Sequence, residues 1–207
     1  MMEETLIKEN YIEEKVLINI YWANVFAVII LIGSLILFGI PFLALWYNNL
    51  KDPFQIIPDK GNLYIVLLNC IIFLFIMFIG IILHEVIHGL LFIKYSKSKF
   101  KSIKFGILPK EKLYTPYCHC KEILKINQYR IALMMPIIIL GIIPTIMAIF
   151  IGNTSLLFFG SLFICAGGGD LLLFLKIIKE KNNVKIYDLP DDVGFIIFRP
   201  NKYANHT

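Results

Sequence analysis

The chain has 207 residues, of which 58% are hydrophobic, and a mean hydropathy of +0.74; soluble domains use roughly 45–50% apolar residues. That balance excludes an ordinary water-soluble globular domain and predicts an integral membrane protein. The formal net charge of +5 gathers in a few connectors, as expected of flanks lying against anionic lipid, and no nucleic-acid partner is expected from it.

The first residues, MMEETLIKENYIEEKV, carry five glutamates and two lysines. This is not the short basic start and cleavage site of a secretory signal, so the first apolar segment is expected to be retained. That segment, about 20 to 47, contains Gly39 and Pro41, a pair expected to kink it near one end. A second span covers about 63 to 93, roughly 46 Å of helix at 1.5 Å per residue, more than a hydrocarbon core of about 30 Å requires. It must therefore tilt, break or extend beyond the bilayer.

The connector that follows, KSKFKSIKFGILPKEKLYTPYCHC, mixes β-favouring residues with a Pro-Lys-Glu-Lys break. It predicts two short strands, about 101 to 108 and 112 to 119, forming a small hairpin. A third span, about 131 to 151, contains Pro136 and Pro144, and a fourth, about 155 to 178, contains AGGGD at 166 to 170. Three successive glycines permit close backbone approach, and the expectation is that they bring the fourth helix against the second. The fold class predicted is all-α and integral to the membrane, with about four transmembrane helices and a small cytoplasmic β-hairpin between helices 2 and 3. Residues 1–207 are expected to form one polytopic domain.

Ten basic residues fall between 94 and 130, and Lys176, Lys179, Lys181 and Lys185 follow the fourth span, whereas the connectors at 48 to 62 and 152 to 155 carry little or no net charge. The positive-inside rule then places the basic connector and both termini in the cytoplasm, with the protein multi-pass in the cell membrane. The four cysteines, Cys70, Cys118, Cys120 and Cys165, show neither CxxC spacing nor the density of a disulfide scaffold.

Inside the second span stands HEVIHG, residues 84 to 89. On a helix His84 and His88 lie one turn apart on one face, within reach of a single zinc ion. Glu85 beside them can take a proton from an attacking water, which is the physics of HExxH. A charged residue at midspan costs roughly 2.5–3.5 kcal/mol on insertion scales, so these groups need compensation. A catalytic zinc usually takes three protein ligands, and Asp170 is the acidic residue of the fourth span. His88 lies six residues before Lys94 and Asp170 six before Lys176, which matches their depths near the cytoplasmic side. His119, between Cys118 and Cys120, is the other candidate third ligand. In a strand it faces away from both cysteines, so CHC is not a natural cluster. His206 lies in a polar tail.

HEVIHG in the second of four spans, the hairpin, and GGGD in the last resemble the zincin peptidase family of bacterial integral-membrane proteins. The similarity runs from about residue 65 to 200 and includes YCHCKEILKINQYRIALMMP. It implies a zinc peptidase, with HExxH on His84, Glu85 and His88 and the late Gly-Asp on Asp170. The arrangement is also similar in plan to site-2 intramembrane metalloproteases, where an aspartate on a later helix completes HExxH. Those usually carry Asp-Gly, whereas this chain has Gly-Asp followed by Leu171.

The function expected is a membrane-embedded zinc metallopeptidase acting on membrane-protein or peptide substrates. The alternatives are a divalent-metal transporter or sensor, and a catalytically inactive zinc-binding membrane protein.

Overall fold

The computed structural model describes residues 11–49, 63–110, 113–190 and 192–201. In chain order the elements are β1 (Tyr11–Leu17), α1 (Ile20–Trp46), α2 (Leu63–Tyr95), β2 (Ile103–Lys110), β3 (Leu113–Cys120), β4 (Leu124–Lys125), α3 (Ile126–Ile151), α4 (Thr154–Ala166), α5 (Gly168–Ile177), β5 (Lys185–Asp188) and β6 (Gly194–Pro200). Three helices, α1, α2 and α3, are long and apolar enough to cross a membrane. The bent pair α4 and α5 makes a fourth if it counts as one span. The chain is thus a mostly helical membrane protein with small sheets.

Two features depart from the sequence expectation. The fourth span is not one helix, because the glycine run interrupts it at Gly167. Sheet structure also extends beyond the hairpin: β1, β6, β5 and β4 form a four-stranded antiparallel sheet in that order. The hairpin itself is present as β2 paired antiparallel with β3, Phe105 opposite Cys118.

The chain divides into two compact units, and the division falls between His84 and Glu85, inside the continuous helix α2. The first unit comprises 1–23, 85–135 and 169–207. Its core gathers Phe92, Tyr129, Ile126, Ile177, Ile186, Phe195 and Ile197. Strand β6 reads GFIIFRP, and its alternation sends Phe195 and Ile197 into this core while Ile196 and Phe198 enter a second cluster on the other face. Both faces are covered, which explains the unbroken apolar run. At the end of α5, the Arg130 guanidinium donates to the carbonyls of Ile177, Ile178 and Glu180. Carbonyls at a helix end lack the donors of a following turn; here the Glu180 N–H also reaches the Ile177 carbonyl at 3.1 Å, and a cation at this end suits the helix dipole.

The second unit comprises 24–84 and 136–168 and is helical. Helix α3 passes through a π-type segment, Ile137–Ile142, between Pro136 and Pro144, where missing N–H donors disturb the regular ladder. It ends at Gly152, whose φ of 78° a side chain would strain, with the Trp46 ring packed over it. The Trp46 indole N–H donates to the Ile149 carbonyl at 2.8 Å. Asn153 then caps α4 by accepting from the Leu156 N–H at 2.9 Å.

The glycine run does a different job from the one expected. A Cβ on Gly167 would strike Ile137 of α3 and one on Gly168 would strike Ala27 of α1, while Gly169 has nothing within 4 Å. The close approaches that these glycines permit are therefore to α3 and α1, not to α2.

Candidate metal centre

Helix α2 runs unbroken through HEVIHG. Its geometry puts His84 and His88 on one face, both buried, while Glu85 is half-buried. The interruption at Gly167 places Asp170 in the first turn of α5, where the positive end of the helix dipole favours a carboxylate. A continuous helix would have given it no such position.

The ligand atoms of His84, His88 and Asp170 all lie within 4.8 Å of one another. His88 is fixed at both ring nitrogens. Nδ1 sits 2.9 Å from the Ala132 carbonyl, which can only accept, so Nδ1 carries the proton. Nε2 is then the ligand atom, and it lies 3.4 Å from Asp170 Oδ2. Ligands 2.0–2.1 Å from one tetrahedral zinc are separated by about 3.3–3.4 Å. The donor set and this edge fit a zinc ion, and an imidazole held by a backbone carbonyl is the usual support behind a metal ligand.

Further support comes from a row of rings. Phe92 stacks on His88 with centroids 6.3 Å apart, and Tyr129 stacks on Phe92 at 6.2 Å. The Tyr129 hydroxyl donates to Asp188 Oδ1 at 2.9 Å. Asp188 Oδ2 lies 3.1 Å from His119 Nδ1, and the His119 ring meets Tyr187 edge-on. His119 is therefore held by the C-terminal sheet, and it is not in the cluster that could hold a metal. Asp188 was not singled out in the sequence; its only signal there is an acidic residue in a short apolar segment.

Gly89, the last residue of HEVIHG, gives the hairpin its seat. A Cβ there would come within 2.6 Å of the Phe105 ring and 3.4 Å of Cys118 Sγ. Cys118 and Cys120 point into the core while His119 points away. Burial first, then the nearby charges of Glu85 and Asp188, push the Cys118 thiol well above its ordinary range. Burial, aided by Asp188 and Glu122, raises Cys120 to about 11 despite a backbone hydrogen bond. Both thiols stay protonated near neutrality and act as small apolar side chains.

These features define a class: a membrane protein presenting an HExxH helix with a half-buried aspartate beside its two histidines. The chain belongs to the family described as "Putative zincin peptidase", whose model matches residues 77–185. That stretch runs from the middle of α2 to the start of β5, and the family is one of metallopeptidases with zinc as cofactor. No curated protein and no solved structure matches the chain.

Proposed function

We propose that the protein is a membrane-embedded zinc metallopeptidase that cleaves membrane or membrane-proximal segments of other proteins. His84, His88 and Asp170 hold the ion in this reading, and Glu85 is the general base. The observation that carries it is the 3.4 Å separation of His88 Nε2 and Asp170 Oδ2, a length that suits two ligands of one tetrahedral zinc. Zinc bound there would supply Lewis-acid activation of the attacking water and of the peptide carbonyl.

The remaining work falls to the chain. Glu85 takes a proton from water as its oxygen bonds to the carbonyl carbon, and returns it to the amine nitrogen as the C–N bond breaks. The Ala132 carbonyl holds His88 in one tautomer. A helical substrate hides its carbonyls in its own hydrogen bonds and must unwind first. Among the described residues β2 pairs with β3 alone, so its other edge can take an extended segment as an added strand. The hairpin's contact with Gly89, one residue beyond His88, supports a hairpin that lies beside the motif. The lysines of the basic connector support a cytoplasmic position for this side and for both termini in this reading.

Metal analysis beside a cleavage assay tests the reading. Glu85→Gln is expected to keep stoichiometric zinc and lose hydrolysis, while His84→Ala and Asp170→Asn weaken zinc binding. Wild-type protein that holds no stoichiometric zinc after reconstitution would overturn it. Zinc flux into proteoliposomes that survives Glu85→Gln would assign transport instead.

A further inference from the structure

The turn after α2, KSKFKS at 97 to 102, is built to present a side chain rather than to hide one. Phe100 is 78% exposed although it lies beyond the end of the span at Tyr95. Lys97, Lys99, Lys101 and Lys104 surround it in sequence and are all exposed. An exposed phenyl ring among four ammonium groups is a poor surface for water alone, and the same pairing suits a membrane interface.

The backbone here is strained and braced. Lys99 has φ 52°, and it is the only positive-φ residue other than glycine among those described. The buried hydroxyls of Ser96 and Ser102 lie 2.6 Å apart, and Ser102 Oγ sits 2.6 Å from the Lys99 carbonyl. From outside, the Glu122 carboxylate accepts from the N–H groups of Lys97 at 2.7 Å and Ser98 at 2.8 Å. That carboxylate is engaged chiefly with the turn itself, through the two N–H groups and the Ser98 side chain, and among the lysines it is the Lys97 charge that acts on it. Side-chain hydroxyls and a carboxylate thus hold the turn in a shape that faces Phe100 outward.

We infer that this turn is a docking surface for anionic lipid: Phe100 enters the interfacial layer of the leaflet that this end of α2 reaches, and the lysines meet lipid phosphates. Charge complementarity and the five-residue distance from the end of a membrane-length helix favour lipid over a protein partner. The consequence concerns depth. With the turn held at the interface, HEVIHG is fixed about two to three helical turns inside, because His88 precedes Tyr95 by seven residues, about 10 Å of helix, and His84 by eleven.

The test uses the full chain in nanodiscs, with a nitroxide on Phe100→Cys in a Cys70→Ser, Cys165→Ser background. The discs hold phosphatidylcholine alone or mixed with phosphatidylglycerol. In mixed discs the label is expected to be more accessible to oxygen than to a water-soluble nickel chelate. Lys97→Gln/Lys99→Gln/Lys101→Gln shifts it toward water, with zinc content and circular dichroism unchanged as the check on folding. The proposal is overturned by a label no deeper than one at exposed Lys181, or by one equally deep with and without phosphatidylglycerol. A label that responds only to added acidic peptide would reassign the surface to a protein ligand.

Discussion

The two units of the chain solve packing in different ways. In the helical unit, contact depends on missing side chains: Gly160 makes room for Thr145, Gly141 for Ile164, and Gly152 for the Trp46 ring. In the other unit, polar nodes are added to an apolar core: Asp188 takes Tyr129 and His119, Arg130 takes three carbonyls, and His88 donates to Ala132. Lipid tails offer no hydrophobic drive between helices, so close van der Waals fit has to supply it. Where polar chemistry must be held in one orientation, hydrogen bonds with fixed partners do so.

Substitutions can break this contrast at either side. The largest effect is expected at the candidate base, where Glu85→Gln lowers peptide hydrolysis by about 10²–10⁴-fold, as for lost general-base catalysis, without loss of zinc. Next comes Asp188→Ala, which strands a buried tyrosine hydroxyl and an imidazole. A cost of about 1–3 kcal/mol for each group left without its partner is expected in thermal or denaturant unfolding. It should also weaken zinc binding through the Tyr129, Phe92 and His88 row; unchanged zinc affinity would confine Asp188 to stability.

In the helical unit the break is steric. Gly160→Val drives a side chain into Thr145 and into the Gly141 carbonyl, and about 1–3 kcal/mol of destabilisation is expected from overpacking. Zinc affinity in the folded fraction should not move. Gly89→Ala is milder, since the Phe105 ring tip can swing away, and it should alter cleavage of peptide substrates more than metal content.

The smallest effect is one of pH. Burial alone would raise the Glu122 carboxyl, but hydrogen bonds from the Ser98 side chain and the Lys97 and Ser98 N–H groups hold it below the ordinary value of 4.5. A depressed carboxylate contributes stability above the unfolded value, and that contribution is lost as pH falls through the folded one. Amide protection at Lys97 and Ser98 should therefore be full at neutral pH and decline below pH 4.5, and Glu122→Gln should remove that dependence.

Much of the candidate site was legible because lipid makes polar residues scarce. Two histidines, a glutamate and one late aspartate stand out against apolar spans, and helical spacing alone pairs His84 with His88. The hairpin was legible from its β-favouring residues. The four-stranded sheet was not: β1 reads YIEEKVL, with three consecutive charges breaking any apolar alternation, and its partner is β6, so that Tyr11 lies opposite Pro200. No local pattern encodes a register that long. Three glycines signal close approach without naming the neighbour, which is α3 at Gly167 and α1 at Gly168. The glycine run's interruption of the fourth span depends on what Gly167 and Gly168 meet. The partner of His119 was invisible for the same reason, since Asp188 joins it only through tertiary structure.

The pairing of β1 with β6 has a consequence in time. At roughly 5–20 residues per second of synthesis, β1 leaves the ribosome on the order of ten seconds or more before its partner exists. During that interval α1 and α2 are made, and the HEVIHG helix enters the membrane ahead of Asp170 and of the strands that brace it. The charged residues of β1 then keep an unpaired edge soluble while it waits. Assembly of the polar unit is thus postponed to the end of translation, and a nascent chain carries the histidine pair long before it can set Asp170 beside it.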